Sequence, residues 1–561
     1  MKKIFISLMI LLSLPVMAQK DKDHEFKIAK NLDVFSSIYK GLDMLYVDTL
    51  DADTVIGNGI QAMLRSLDPY TEYYPESEVQ KLKMMVTGKY AGIGALIRFS
   101  PKYNCSFIEE PYENMPAAEA GLKKGDLVLA IDNESMMGRS TQYVSDRLRG
   151  DAGTSFVLRV KRLATGKELK VKIVRRAIQM PSVPYYGMVT EKTGYISLTS
   201  FTENCSKDVR NAFIELKKQG MKNLVFDLRN NGGGLEQEAV NIVNMFVRKG
   251  VTVVSNRGKL KRMNHEYKTT VEPLDTIMPI VVLVNGNSAS ASEITSGALQ
   301  DLDRAVIMGT RTFGKGLVQM TIDTPYNGNL KLTTNKYYIP SGRCIQAINY
   351  KHNRGGYIEH VPDSLTKVFY TAGGREVRDG GGIKPDVVVH PDTASTIQTY
   401  LFGVMDSTET VLDYVANYIA EHPTIAPASE FEISDEEYEN FKNFVAQHKY
   451  HFTSITDRLW KQLVEAAKIE GYYDDAKAEF DAFAKNLKHD MQRDLDLNKK
   501  DVKEALATTI IPAYYFQRGG IIYALRHDRQ FSKALELLKN ESEYNKCLTP
   551  NLSKEERRSN K

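Results

Sequence analysis

The sequence has few of the residues that build metal centres and disulfide scaffolds. Its 561 residues include only four cysteines, Cys105, Cys205, Cys344 and Cys547, which are scattered and show no CxxC spacing. The ten histidines are dispersed, and there is no HExxH motif. These absences exclude the common zinc motifs, so we expect neither a metal nor a cofactor. We favour four unpaired thiols over disulfides, whose connectivity a sequence does not give.

A strong excess of charge of one sign is also missing. The formal net charge is +4, and no basic stripe with interleaved aromatic residues is present. This balance argues against nucleic acid as a partner. The apolar content of 42% and the charged content of 26% are those of an ordinary globular protein, long enough for several domains.

Only one long apolar run stands out, and it lies at the N-terminus. Lys2 and Lys3 precede the run Ile4–Leu14, and small residues lead to Ala18. This pattern predicts a secretory signal peptide at residues 1–18, cleaved after Ala18. The alternative, a membrane anchor, needs ~20 apolar residues, and the run Ile4–Leu14 is shorter than that. We therefore expect an exported protein with no stable membrane insertion after cleavage.

Hydrophobic periodicity divides the mature chain into parts with different character, which together predict a multidomain α/β protein. Apolar residues at helical spacing predict a helix through Phe26 and Ile38, and a second helix from Ala52 to Leu67. The predicted divisions are a helical segment at 19–85, a strand-rich domain at 86–178, an α/β core with a mainly parallel sheet at 179–392, an all-helical domain at 393–545 and a disordered tail at 546–561.

The C-terminal part contains apolar residues that step by three and four, as in a helix face turned toward a core. We interpret them as core stripes of the helical domain rather than as a cofactor site. The residues are Ile455, Leu459, Leu463, Phe480, Phe483, Leu487 and Met491.

The strand-rich domain carries the phrase "PAAEAGLKKGDLVLAIDN" and a predicted glycine-flanked strand, Gly92–Ile97. Its order of strands and helices resembles a PDZ domain. Such domains bind a peptide C-terminus by strand addition, with loop N–H groups holding the carboxylate. The resemblance places that loop at Gly92, Ile93 and Gly94. The alternative is a PDZ domain kept only as a spacer.

Two loops of the predicted α/β core follow strands. The strand Pro279–Val284 leads into the small residues Ser288–Ser292, and the strand Asn223–Leu228 leads into Gly232–Gly234. Functional loops of parallel sheets lie beyond the carboxyl ends of the strands. Both loops can therefore meet at one edge of the sheet.

A lysine between two glycines, Lys315, follows further along the chain. Serine needs a base to become a nucleophile, and histidine is the usual one. The sequence has no GxSxG motif, and only His265, which no motif marks, lies between the glycine loop and Lys315. A lysine can serve if burial lowers its pKa by several units from ~10.4. No acid lies within seven residues of Lys315. We therefore predict a serine–lysine hydrolase site.

Three serines compete for the role of nucleophile: Ser288, Ser290 and Ser292. With Glu293 in the first helical turn, Ser292 is the predicted N-cap. Ser290 would then lie exposed in the turn, where the following amide, Ala291 N–H, could hold an oxyanion. Local physics favours Ser290 but leaves the choice open.

The phrases "NSASASEITSGALQD", "DLRNNGGG" and "TFGKGLVQ" resemble the C-terminal processing (tail-specific) serine proteases. The resemblance spans about 350 residues, from "LDPYTEYY" to "GIKPD". It implies that Ser290 is the nucleophile, Lys315 the general base and Gln319 the residue that orients the base. If residues 315–319 are extended, Lys315 and Gln319 share a face.

The resemblance also implies a second oxyanion donor, Gly233, beside Ala291. Gly232 stands where the family usually has proline, which predicts a more mobile loop. The implied activity is endopeptidase cleavage near protein C-termini, with polypeptides bearing free C-termini as partners. Together with the predicted signal peptide, this places the protein in the periplasm or cell envelope. The C-terminal helices lie outside the resemblance, and a homodimer or adaptor surface is predicted there. The alternatives are a non-proteolytic PDZ scaffold of the cell envelope and a hydrolase of another ester or amide.

Overall fold

In this computed structural model the chain is described over residues 2–347, 362–403, 409–448, 455–486 and 491–550. It divides into two compact units. The described part of the smaller unit runs to Pro75 and includes Thr321–Leu332, and the larger unit contains the rest. Helices at the N-terminus, many strands and a helical C-terminal part confirm the predicted multidomain α/β class.

The smaller unit is mainly helical. It contains helix α1 (Lys2–Leu45), helix α2 (Ala52–Arg65) and strand β1 (Glu72–Tyr74). Asp51 caps α2 by accepting the N–H of Thr54, as expected for an N-cap aspartate. Strand β1 pairs antiparallel with residues 329–331. The two predicted helices are thus confirmed, while cleavage after residue 18 stays a prediction. Within the described residues, no helix combines the length and the apolar content required to cross a membrane.

The larger unit begins with the strand-rich domain, whose sheet has the order β3-β4-β5-β7-β8. The predicted strand Gly92–Ile97 is wrong in its extent, because the chain breaks at Ile93 and Gly94. Gly94 has φ +70°, and a Cβ there would lie 2.5 Å from the Met115 Cβ. The elements are α3 (Val79–Thr87), β2 (Lys89–Gly92), β3 (Ala95–Ser100), β4 (Cys105–Pro111), α4 (Pro116–Glu119), β5 (Asp126–Ile131), β6 (Glu134–Ser135), α5 (Thr141–Leu148), β7 (Ser155–Arg162), β8 (Glu168–Val174) and β9 (Arg176–Gln179).

The α/β core is built on a six-stranded sheet in the order β10-β11-β12-β15-β16-β21. All its neighbouring pairs are parallel except β10 with β11, which confirms the mainly parallel prediction. The elements are β10 (Tyr185–Met188), β11 (Thr193–Ser197), α6 (Cys205–Lys218), β12 (Asn223–Asp227), α7 (Glu236–Asn244), β13 (Thr252–Gly258), β14 (His265–Lys268), β15 (Ile280–Val284), α8 (Ala291–Asp301), β16 (Val306–Gly309), β17 (Leu317–Asp323), β18 (Asn329–Tyr338), β19 (Val368–Tyr370), β20 (Glu376–Arg378) and β21 (Val387–Val388). Short 3-10 turns lie at Glu76–Glu78, Lys261–Met263 and Asp363–Leu365.

Ten helices follow in the described C-terminal part. They are α9 (Thr396–Phe402), α10 (Thr410–Glu421), α11 (Asp435–Gln447), α12 (Ile455–Ile469), α13 (Lys477–Asn486), α14 (Met491–Leu497), α15 (Lys499–Ile510), α16 (Pro512–His527), α17 (Arg529–Lys539) and α18 (Glu541–Cys547).

Both faces of the core sheet are covered. Phe226 and Val282 face a core shared with α6, α7 and α8. The alternate residues, such as Val225 and Val281, pack instead against α17 and α18. The last two helices therefore cover one face of the core sheet. Helix α18 also reaches Cys547, so the predicted tail begins too early, and residues 551–561 lie outside the described residues.

The predicted core stripes of α12 and α13 are wrong in part. Leu459, Leu463 and Phe483 are 59%, 52% and 53% exposed. These helices meet through the Trp460 ring, whose centroid is 5.2 Å from that of Phe480 and 5.1 Å from that of Phe483. The i, i+4 spacing thus marked a helix, but these side chains do not face a core; Leu487 lies outside the described residues. The buried core of the C-terminal part is formed by other helices, with Tyr438, Phe441, Val502 and Leu506 at its centre.

The strand-rich domain rests on the C-terminal helices. Leu412 of α10 packs against Phe107 and Leu127. The Tyr103 hydroxyl donates to Asp413 at 2.6 Å. These apolar and polar contacts therefore join the strand-rich domain to helix α10.

Candidate active site

The strand β15, the turn after it and helix α8 place Ser290 at the carboxyl edge of the core sheet. Ser290 is the N-cap of α8, so the predicted N-cap at Ser292 is wrong by two residues. Its φ of +56° and ψ of −114° are sparsely populated for a residue with a side chain. Such strain is held only where the surroundings define the backbone, and it is frequent at functional sites.

The three competing serines differ in their surroundings. Ser288 is fully buried, and its hydroxyl donates to Leu228 O at 2.8 Å and accepts from Asn285 N at 2.9 Å. Ser292 is also fully buried, and its hydroxyl donates to Asn231 O at 2.8 Å. Ser290 is the partly exposed member of the three. The structure therefore gives the outer serines structural hydrogen bonds and leaves Ser290 accessible.

Glu293 joins this turn to the lysine loop, and its role was not foreseen from the sequence. Its carboxylate, fully buried, accepts the N–H groups of Ser290 and Lys315, each at 2.9 Å. It also accepts the Gly314 N–H at 2.7 Å and the Thr312 hydroxyl at 2.5 Å. Burial raises the pKa of Glu293 to about 7, against the lowering effect of these four donors.

Lys315 lies in the loop between β16 and β17 and is partly buried. The sequence shows no acid near it, yet Glu293 meets its main chain from 22 positions away. The carbonyl oxygen of Lys315 contacts the hydroxyl of Tyr337. The same hydroxyl lies 3.2 Å from the carbonyl oxygen of Ser290. Glu293 and Tyr337 therefore each touch both predicted catalytic residues.

The glycine loop after β12 lies directly against Ser290. A Cβ on Gly233 would come within 2.7 Å of Ala289 O and 2.8 Å of the Ser290 Cβ, at φ +98°. The Gly233 N–H donates to Asn231 Oδ1 at 2.9 Å. Among the hydrogen bonds of the described chain, none has the Ala291 N–H as its donor. The two predicted oxyanion donors are thus near Ser290, but the Gly233 N–H points into its own loop.

Gln319 is held by the neighbouring strand. Its side-chain amide donates to Thr333 Oγ1 at 3.1 Å and to Leu317 O at 3.3 Å. The strand β17 begins at Leu317, so Lys315 lies two residues before it. Orientation of Lys315 by Gln319 stays a prediction.

An ion-pair network fixes the base of the glycine loop. Arg229 contacts Asp227 at 2.5 Å and Asp528, the N-cap of α17, at 2.6 Å. Burial alone would lower the pKa of Arg229, but the two carboxylates raise it above its usual range. The C-terminal helices therefore contact the loop that carries Gly233.

The strand-rich domain has a groove between β3 and α5, with a volume of about 720 Å³. Thr141, Ser145 and Arg149, spaced by four, line it from one face of α5 and its C-cap. The predicted carboxylate loop, Gly92 to Gly94, lies between Tyr90 and Ala95, and both of these line the groove. A loop of the α/β core, residues 199–202, also borders it.

That loop reaches from the groove to the active site. Thr199, Ser200 and Thr202 line the groove, while the buried Phe201 between them donates its N–H to Gly233 O at 3.0 Å. Groove and glycine loop are therefore separated by one short segment. Among the described residues, no group of three or more His, Cys, Asp or Glu is arranged to hold a metal. The four cysteines are free thiols.

Comparison with known proteins accounts for three parts of the chain. Peptidase family S41 matches residues 192–361, a PDZ domain matches residues 107–162, and the probable PDZ-protease C-terminal helical domain matches residues 399–538.

Individual proteins are similar over longer stretches. A carboxy-terminal-processing protease of Bartonella bacilliformis is 38% identical over 341 residues, which cover 60% of this chain and 77% of that protein. A probable CtpA-like serine protease of Staphylococcus epidermidis is 35% identical over 322 residues, or 56% of this chain and 63% of that protein. The solved photosystem II D1 C-terminal processing protease aligns at 27% identity and a TM-score of 0.36, over 64% of this chain and 88% of that one.

The predicted family resemblance is confirmed by the S41 match, which includes the glycine loop, Ser290 and Lys315, and by the 38% identity to the Bartonella bacilliformis protease. The chain belongs to the S41 peptidases and is a serine peptidase of the carboxy-terminal-processing family with a PDZ domain.

Proposed function

We propose that this peptidase is an exported endopeptidase that cleaves proteins near their C-termini with Ser290 as nucleophile and Lys315 as general base. The observation that carries the proposal is the shared carboxylate of Glu293. It binds the N–H groups of Ser290 and Lys315 at 2.9 Å each, so the accessible serine and the lysine belong to one local structure.

The proposed chemistry is acyl transfer. The uncharged amine of Lys315 takes the proton of the Ser290 hydroxyl, and Oγ attacks the carbonyl carbon of the scissile peptide bond. The protonated Lys315 then gives the proton to the nitrogen of the scissile bond, and the substrate fragment with the new amino terminus leaves. The remaining acyl-enzyme is hydrolysed by water.

The oxyanion of the tetrahedral intermediate would be bound at the N-terminus of α8. The Ala291 N–H is the first amide of that helix, where the helix dipole also favours negative charge. The proposed second donor, Gly233 N–H, must leave Asn231 Oδ1 to reach the oxyanion. This exchange of partners within a glycine-rich loop is the conformational step we expect on substrate binding.

Substrate selection is assigned to the groove between β3 and α5. An extended tail would add to the edge of β3, with the N–H groups of the Gly92–Gly94 segment holding its carboxylate. The lining includes apolar residues such as Leu96 and Ile97, and Arg149 supplies a positive charge. Polypeptides with free C-termini are therefore the proposed partners. The signal-like N-terminus supports export to the periplasm or cell envelope, and the C-terminal helices stay the proposed surface for a homodimer or an adaptor.

The first prediction tests the catalytic pair. Ser290→Ala and Lys315→Ala should each abolish cleavage of an unfolded protein that carries a C-terminal tag. Mass spectrometry of the products measures this cleavage. Ser296→Ala is the matched control, because that hydroxyl donates to Ser292 O within α8. Lys268→Ala controls for loss of a surface lysine. Full cleavage by either catalytic variant would refute the assignment.

A blocked tail tests the proposed specificity with the same substrate. Amidating the C-terminus should reduce cleavage by the parent protein, because the loop N–H groups would lose the carboxylate charge. A non-proteolytic scaffold would instead show no Ser290-dependent reaction with a serine-reactive probe. Equal cleavage of free and amidated substrates would exclude recognition of the tail.

A further inference from the structure

Two side chains hold the main chains of the catalytic pair from opposite sides. Glu293 accepts the N–H groups of Ser290 and Lys315. The hydroxyl of Tyr337 contacts the carbonyl oxygens of the same two residues, at 3.2 Å for Ser290 and closer for Lys315. Each predicted catalytic residue is thus bound at both of its main-chain polar groups.

We propose that Tyr337 is a positioning residue of this peptidase, whose hydroxyl sets the nucleophile turn and the lysine loop at the spacing required for proton transfer. The proposal rests on the proposed roles of Ser290 and Lys315. In this role Tyr337 acts through their main chains, because its hydroxyl contacts the carbonyl oxygens of both residues.

The strand β18 gives Tyr337 a rigid base for this role. The residue is 1% exposed, and Tyr337 pairs with Asn256 of β13. Its own N–H donates to Gly316 O at 3.1 Å, so the strand holds the loop directly after Lys315. The ring therefore has a fixed position from which its hydroxyl reaches both carbonyl groups.

A hydroxyl suits the contact because it has a single proton and two carbonyl oxygens to serve. When this proton is shared between both carbonyl oxygens in a three-centre hydrogen bond, the hydroxyl couples the positions of the two segments. Phenylalanine would keep the ring and its packing but leave both carbonyl groups without this donor.

The need for such a contact follows from the local backbone. Ser290 has a strained φ of +56°, and Lys315 lies directly after Gly314, which has φ +88°. The conformation of Ser290 is one that its own short-range interactions disfavour. Glycine at position 314 allows the positive φ directly before Lys315 without such strain. Small shifts between a nucleophile and its base lower the rate strongly, because catalysis depends on near-attack geometry.

The test compares Tyr337→Phe with Tyr338→Phe in the full-length protein. Tyr338 is the next residue on β18, so its side chain points to the other face of the strand, where Arg257 lies over its ring. We expect Tyr337→Phe to lower kcat about tenfold with KM within about twofold of the parent value. Labelling of Ser290 by a serine-reactive probe should slow by a similar factor, and Tyr338→Phe should match the parent in all three measurements.

Stability is controlled by measuring each variant about 20 °C below its own melting temperature, where the unfolded fraction is negligible. A kcat that stays low there supports positioning. Parental kcat and labelling in a folded Tyr337→Phe, or a loss that appears only in KM, would overturn the proposal. If Ser290→Ala and Lys315→Ala are inactive while Tyr337→Phe is fully active, only the role of Tyr337 fails. If those two variants keep activity, the proposed catalytic pair fails first.

Discussion

Glu293 is the residue at which the nucleophile turn and the lysine loop meet. It is fully buried, yet it accepts four hydrogen bonds in all, one from the nucleophile turn and three from the lysine loop. All four partners are donors, which suits an ionised carboxylate. Burial nevertheless disfavours the charge and raises the pKa of Glu293 to about 7.

This raised pKa predicts a pH-dependent stability. The folded state holds the proton of Glu293 more tightly than the unfolded state, in which the pKa is near 4.5. The resulting stabilisation is fully present below pH 4.5 and is lost as the pH rises through about 7, a change of about 3 kcal/mol since one pKa unit is worth ~1.4 kcal/mol. Urea denaturation followed by circular dichroism should show this fall between pH 4.5 and 7.5.

Glu293→Gln is the comparison that isolates the effect. It removes the titrating group and should remove this component of the pH dependence. It should also lower kcat, because its NH₂ group would face N–H donors. An unchanged pH dependence in Glu293→Gln would show that other groups cause it.

At the scale of elements, the site depends on the close approach of a glycine loop to the start of a helix. Gly233 adopts φ +98° and leaves no room for a side chain. Gly232, next to it, faces open space and has no positive φ. The two neighbouring glycines therefore have different reasons to be glycine.

Alanine at each position should show that difference. Gly233→Ala would bring a Cβ within 2.8 Å of the Ser290 Cβ, so we expect kcat/KM to fall by about a hundredfold as the oxyanion site is displaced. Gly232→Ala should stay within about twofold of the parent, because its methyl group meets no neighbour. Steady-state kinetics on one peptide substrate checks both. Equal activity of the two variants would mean that the loop is not part of the site.

At the scale of the whole larger unit, the C-terminal helices connect the PDZ domain and the protease core. Helices α17 and α18 cover one face of the core sheet, and Asp528 contacts Arg229 at the glycine loop. Helix α10 holds the PDZ domain through Leu412 and Asp413. The position of the proposed tail-binding groove thus depends on helices that lie outside the motif-bearing segments.

Leu412→Asp tests this connection. A carboxylate among Phe107 and Leu127 would be costly to bury, so the contact should open. We expect faster hydrogen exchange in β4 and about tenfold slower cleavage of tailed substrates, because the groove no longer holds the tail near Ser290. Labelling of Ser290 by a small serine-reactive probe should remain at the parental rate.

Leu497→Asp is the matched control, since Leu497 of α14 is 72% exposed and its replacement should change neither exchange nor cleavage. If Leu412→Asp cleaves tailed substrates as fast as the parent, docking of the PDZ domain is not needed for activity.

The sequence by itself determined the elements and the chemical type of the site. Apolar runs and helical patterns located β12, β15, α2 and α8, because such patterns depend on neighbours within a few residues. The small-residue turn around Ser290 and the glycines flanking Lys315 are equally local, so motif and spacing were enough to indicate a serine and a lysine.

Only the tertiary structure decided what surrounds them. Burial distinguishes Ser290 from Ser288 and Ser292, and the N-cap of α8 is Ser290 instead of the predicted Ser292. Leu459 and Leu463 lie on an exposed helix face. Glu293 meets Lys315 across 22 positions, and Tyr337 meets Ser290 across 47. Contacts at such distances depend on how strands and helices pack, because no local pattern records which residue a side chain meets after the chain has folded.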